Sequence, residues 1–230
     1  MGLSAEKNIL ITGATRGIGW AAARELTARG ARVILTSRDP ARAASAADTI
    51  GGHWLSMDLE DAASIRAAAD AFAKTFGRLD VLVNNAAILL DHYASLLNLD
   101  SDVLEETFRT NVIGTLEVTR AFLPLLANSS DPRVINVSSG AGQLDGEPQA
   151  WAPAYSISKT ALNMLTQQLT AALPEVVVNS MCPGWCRTEM GGPDAPRSPE
   201  EGADTLCWLA LEAPRSLRGA FVKDRQVIRW

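Results

Sequence analysis

Short apolar runs alternate with amphipathic stretches along almost the whole chain. The runs Asn8–Thr12, Arg32–Thr36, His53–Ser56, Val81–Asn84, Val134–Val137, Val176–Met181 and Ala220–Val222 are rich in Val, Ile and Leu with little polar alternation. That pattern predicts strands buried on both faces of a parallel sheet. Between them, Gly17–Arg29, Pro40–Asp48, Ala62–Phe76, Asp102–Leu126, Ala154–Leu173 and Pro199–Leu211 space their apolar residues three and four apart, as Ala161, Leu162, Leu165 and Leu169 do, which predicts helices. Strand–helix alternation repeated this often implies right-handed crossovers. The expected fold is α/β: a single-domain, Rossmann-type, doubly wound parallel sheet of about seven strands with helices on both faces. No repeat, low-complexity tract or domain-scale linker interrupts it, so residues 1–230 read as one domain. The Gly- and Pro-rich stretch Gly191–Ser198 reads as a mobile flap.

Composition narrows the function. Of the 230 residues, 47% are hydrophobic and 20% charged, ordinary for a folded chain. The net charge of -5 argues against a dedicated nucleic-acid or anionic-membrane binder. Cys182, Cys186 and Cys207 cannot all pair as disulfides, and His53 and His92 lie too far from them in sequence to suggest a metal site. Reduced, buried thiols and no metal are expected. The N-terminus lacks a signal-peptide core, Glu6 stands where a Gly2 myristoylation signal wants Ser or Thr, and no apolar run approaches the ~18 residues of a membrane span. A cytoplasmic protein is the expectation.

The first strand runs directly into Thr12-Gly13-Ala14-Thr15-Arg16-Gly17-Ile18-Gly19 and then a helix. Glycines at 13, 17 and 19 let backbone approach a pyrophosphate, and the helix offers its free N–H groups and positive dipole end to that anion. The end of the second strand chooses between dinucleotides: an acid suits the 2′-hydroxyl of NAD, a cation the 2′-phosphate of NADP. Here Ser37-Arg38 follows Thr36, with Arg16 nearby, which favours NADP(H), although Arg38 also reads as a solvated surface charge. Asp39 precedes Pro40 and reads as a helix N-cap. Asp58, followed by Leu59, reads either as an acceptor for the adenine amino group or as another cap. Asn84-Asn85-Ala86-Ala87 closes the fourth strand, where ligands of such sheets lie.

Tyr155 and Lys159 stand at i and i+4, on one face of a helix. An ammonium a few ångströms from a phenol favours phenolate and should hold Tyr155 well below its free value near ~10. Ser139 closes the fifth strand, placed to hydrogen-bond a substrate oxygen. With the glycine turn, this set resembles the short-chain dehydrogenases/reductases over essentially the whole chain, and the NADPH-dependent carbonyl reductases in particular. Thr12–Gly19, Asn84–Ala86, Asn111, Ser139, Tyr155, Lys159 and Pro183-Gly184-Trp185-Cys186-Arg187-Thr188 carry the resemblance, as do Ser198–Ala203 and the ending from Phe221 to Trp230.

The resemblance implies further roles. Asn111 would anchor a water relaying protons to Lys159, Lys159 would bind the nicotinamide ribose, and Thr188 would fix the carboxamide; Pro183 and Gly184 would line the same end. The expected activity is NADPH-dependent reduction of an aldehyde, ketone or quinone carbonyl, with Tyr155 exchanging the proton and Ser139 stabilising the oxyanion. Leu89, Leu90, Tyr93, Gln143, Trp151, Trp185 and Met190 suit a small hydrophobic substrate. An NAD(P)-linked alcohol or hydroxysteroid dehydrogenase is the rival; a non-catalytic dinucleotide sensor is disfavoured by the intact Tyr–Lys pair. Ala87 departs from a family pattern that has glycine there. The short Gly140–Ala154 connection lacks the insertion that accompanies monomers in some carbonyl reductases, so a homodimer or homotetramer is expected.

Overall fold

Each of the seven apolar runs becomes a strand; six are largely buried, while the run over 53–56 is mostly exposed. The computed structural model describes residues 6–147 and 150–230; the reading at Gly2 lies outside them. In chain order the strands are β1 (Asn8–Thr12), β2 (Arg32–Ser37), β3 (His53–Ser56), β4 (Val81–Asn84), β5 (Arg133–Val137), β6 (Val177–Met181), β7 (Phe221–Lys223) and β8 (Gln226–Ile228). They form one sheet in the order β3-β2-β1-β4-β5-β6-β7-β8. All neighbours are parallel except β7 and β8. The order reverses between β1 and β4, which opens a crevice at the carboxyl ends of the strands.

The helices are α1 (Gly17–Ala28), α2 (Pro40–Ile50), α3 (Ala62–Phe76), α4 (Ser101–Phe108), α5 (Thr115–Leu126), α6 (Pro153–Ala172) and α7 (Pro199–Leu211). Alternate strand residues feed two cores. Ile9 and Ile11 pack with Ala22, Leu26, Leu206 and Leu209 of α1 and α7. Leu10 and Leu82 pack with Ile65, Phe72, Phe122 and Leu169 of α3, α5 and α6 on the other face.

Two features depart from the pattern. The helix expected over 102–126 is α4 and α5 joined by a π-helical segment, Arg109–Gly114, that contains Asn111. Gly114 is required there, since a Cβ would stand 2.8 Å from the Leu59 carbonyl oxygen. The eighth strand, β8, turns back on β7 through Asp224 and Arg225, both at positive φ (50° and 59°), as a two-residue hairpin turn of that hand demands. The Gly191–Ser198 stretch is tied down: the Arg187 guanidinium donates to the carbonyls of Ala195 (2.9 Å) and Pro196 (2.8 Å), and the Trp185 indole N–H donates to Gly191 (2.7 Å).

Candidate active site

At the mouth of β1 the chain turns sharply at Gly13, whose φ is +63°; a Cβ there would lie 2.9 Å from the Ala86 backbone. Asn85 and Ala86 grip this turn. Their backbone N–H groups both donate to the Thr12 hydroxyl (3.0 and 2.9 Å), and the Asn85 carboxamide donates to the carbonyls of Thr12 (2.9 Å) and Gly13 (3.1 Å). The Asn85 side chain therefore shapes the glycine turn instead of reaching outward. Arg16 starts α1 without a side-chain cap, so the N–H groups around Gly17, Ile18 and Gly19 lack a local acceptor, as an anion seat requires. Thr188 closes over the turn from the far wall: a Cβ on Gly17 would meet its methyl at 3.2 Å. Thr188 is held by the Gly191 N–H (3.1 Å), and Pro183 and Gly184 lead into it, with Gly184 at φ +76° packed on Arg197.

At the end of β2, Arg38 is exposed and has no ion pair among the described residues. Asp39 caps α2, accepting from the N–H groups of Ala41 (3.0 Å) and Arg42 (3.2 Å), so its carboxylate is committed to the helix. The Ser37 hydroxyl accepts from the Asp39 N–H (3.1 Å). A groove beside Arg16, lined by Thr15, Trp20, Arg42 and Ser45, runs between α1 and α2. Arg16 itself reaches across to Glu189, 2.5 Å away on the loop after β6. Asp58 does not cap α3; Asp61 does (2.8 Å to Ala63). Asp58 instead closes a local turn onto the Glu60 N–H (3.0 Å), and Leu59 packs its backbone on Gly114.

The chemical residues converge beyond the carboxyl ends of β4 and β5. Ser139 opens a short turn, its hydroxyl accepting from the Ala141 N–H (3.1 Å), and neighbours the Tyr155 phenol, whose ionisation it eases. Tyr155 is 7% exposed and Lys159 2%. The Lys159 ammonium sits 5.5 Å from the Tyr155 ring centre and donates to the Val137 carbonyl (2.8 Å). Burial pushes Tyr155 up to about 12, against a smaller lowering by the Ser139 hydrogen bond. The direction is opposite to the acidic phenol expected from the spacing. Burial likewise pulls Lys159 down to about 7. Desolvation acts against both charged forms and is the largest cause for each. Asn111 lies behind them, its carboxamide accepting from the Ile88 N–H (2.8 Å) and donating to the Ile88 carbonyl (2.9 Å) and Ser158 hydroxyl (3.0 Å).

The sequence profile described as short chain dehydrogenase matches residues 7–198. The chain belongs to that family. Carbonyl reductase [NADPH] 1 of Sus scrofa is 34% identical, covering 96% of this chain and 93% of the relative. (+)-Neomenthol dehydrogenase of Arabidopsis thaliana is 31% identical, with 95% and 96% covered. The crystal structure of an NADPH-bound carbonyl reductase from chicken fatty liver superposes with a TM-score of 0.89 at 29% identity, covering 98% of this chain and 99% of that one.

Within this dehydrogenase fold Ala87 is not among the residues at positive φ, so the methyl that replaces a family glycine meets no backbone penalty. The alignment to the pig reductase spans 281 positions, more than the 230 residues here, so the relative carries residues this dehydrogenase lacks. Apolar side chains stand at the rim: Trp185 is 58% exposed, Leu90 47% and Tyr93 87%. Trp151 packs near both Tyr155 (6.1 Å) and His92 (5.7 Å), the His92 ring contacts the Met190 carbonyl (3.2 Å), and Gln143 donates to the Arg229 carbonyl (2.8 Å). Cys182, Cys186 and Cys207 are free and buried.

Proposed function

We propose that this dehydrogenase reduces the carbonyl of a small hydrophobic aldehyde, ketone or quinone with NADPH. The observation that carries the reading is the buried Tyr155 phenol with the Lys159 ammonium 5.5 Å from its ring centre and Ser139 beside it. The cleft fits a dinucleotide phosphate: the turn has no room for a Cβ at Gly13, and α1 begins uncapped. Arg38 and Arg16 suit the 2′-phosphate, with Asp39 held away by its cap; Ser37 lies beside them and Asp58 is left for the adenine. Thr188, Pro183 and Gly184 form the nicotinamide end, next to Lys159.

NADPH, when bound, supplies the hydride that the carbonyl carbon accepts. Ser139 donates a hydrogen bond to the carbonyl oxygen as negative charge develops there. Tyr155 gives that oxygen its proton. A phenol near 12 is fully protonated at neutral pH and so is ready to donate. Lys159, over the ring, favours the phenolate left behind once it is protonated. The π-helical turn at Asn111 is suited to hold a water that restores the proton, because its wider winding leaves carbonyls off the ordinary ladder.

The test is nicotinamide oxidation with a panel of aldehydes, ketones and quinones. Wild type should prefer NADPH to NADH, and Tyr155→Phe should lower kcat by about 100-fold or more, the worth of a general acid, while still binding NADPH. Unchanged turnover in Tyr155→Phe, or a preference for NADH, defeats the corresponding part of the reading.

A further inference from the structure

The catalytic tyrosine stands in the first turn of α6, where a helix is held least securely. Helix N-termini leave their first N–H groups without intrahelical acceptors, and the residue at the cap position is Ala152, whose side chain has nothing to offer. Pro153 and Ala154 follow, so Tyr155 is the third helical residue. Left alone, this turn would fray, carrying the phenol with it.

The missing acceptor comes from 64 residues away. Asp91, on the loop after β4, is 4% exposed. One of its carboxylate oxygens accepts from the Ala154 N–H at 2.5 Å and the other faces the Tyr155 N–H at 3.4 Å. These are the second and third helical N–H groups, the pair that a local Ser, Thr, Asp or Asn cap serves. The carboxylate also lies at the positive end of the helix dipole. Two residues on, the Tyr93 N–H donates to the Trp151 carbonyl at 2.6 Å. Tyr93 adopts φ +59° to do so, a conformation a bulky side chain rarely takes. The loop is thus clamped to the start of α6 at two points, and His92 between them reaches the Met190 carbonyl on the opposite wall.

We infer that Asp91 is a positioning residue for the reaction: a helix cap supplied by the loop after β4 that holds the Tyr155 phenol beside Ser139 and the substrate oxygen. The inference rests on the reading of Tyr155 as proton donor. It assigns Asp91 no contact with substrate or cofactor. Its effect passes through the backbone of residues 154 and 155.

Asp91→Ala should lower kcat by about 10- to 100-fold, the scale of a misplaced catalytic group, with KM for NADPH changed less than about twofold. Asp91→Asn keeps an acceptor oxygen, and Asn caps about as well as Asp, so it should recover most of that loss. Peptide-level hydrogen exchange, which needs no turnover, should show faster exchange over 152–158 in Asp91→Ala and no change in the rest of α6. Wild-type kcat in Asp91→Ala, unaltered exchange over 152–158, or Asp91→Asn as impaired as the alanine variant each overturns the inference. Equal loss of NADPH binding and thermal stability in both variants does too, since that marks a general collapse. Tyr155→Phe run alongside separates the two failures: if it retains activity, the proton-donor reading falls, while exchange over 152–158 still decides the cap.

Discussion

Lys159 is almost wholly buried beside Tyr155. The i, i+4 spacing placed its ammonium beside Tyr155 correctly, and the ring contact at 5.5 Å is there. What spacing could not convey is that the pair lies almost entirely out of water, so that burial is the largest influence on both protonation equilibria. The same limit applies to Asn85, legible as part of a strand-end motif, though only the folded backbone reveals that it grips the glycine turn. A stability consequence follows for Lys159. Its ionisation falls from 10.5 in the open chain to about 7 when folded. The stabilisation this linkage gives is complete above about pH 10.5 and is lost as pH falls towards 7. The melting temperature of the cofactor-free protein should therefore carry a rising contribution from pH 7 to 9. Replacing Lys159 by Met should flatten that rise, which thermal melts of both proteins across the interval will check.

Among the elements, strands and long helices were readable because double-sided burial and amphipathic spacing leave strong traces. The π-helical turn at 109–114 and the β7–β8 hairpin left none. The hairpin turn has no Gly or Asn-Gly signal in Lys223-Asp224-Arg225-Gln226; it is forced by contacts from elsewhere, Arg225 pairing with Asp204 and Asp224 with Arg197 (2.8 Å). The short turn Gly140–Gly142 is likewise set by its neighbour. A Cβ on Gly142 would lie 2.7 Å from the Lys159 carbonyl carbon and 2.9 Å from its oxygen, and backbone cannot step aside as a side chain can. Gly142→Ala should push this turn off α6, pulling Ser139 from Tyr155. Turnover should drop by about tenfold or more with NADPH binding retained, as steady-state kinetics beside a fluorescence titration of the nucleotide will show.

At the scale of the whole molecule, the alternation of elements was enough to read the architecture. The expectation of a homo-oligomer rested on the short Gly140–Ala154 connection alone. Ile113, Ile157 and Met164, on the π-helical turn and α6, are 51%, 41% and 59% exposed. Apolar residues so placed suit burial against a second copy of the chain, and we propose assembly through this side as a homodimer or homotetramer. No described helix is long and apolar enough to cross a membrane. Light scattering of the purified protein should give a mass at least twice the protomer's, and charged replacements at Ile157 and Met164 together should bring it down to one. A monomeric wild type would dismiss this assembly.

The antiparallel β8 has one more consequence. A sheet must stop somewhere, and the last strand always displays a ladder of unpaired amides that another unfolded chain can extend. Here that margin is only three residues long and is followed by Arg229 and Trp230, the latter stacked on Phe221 (5.4 Å). So brief a template gives fibre growth little to copy.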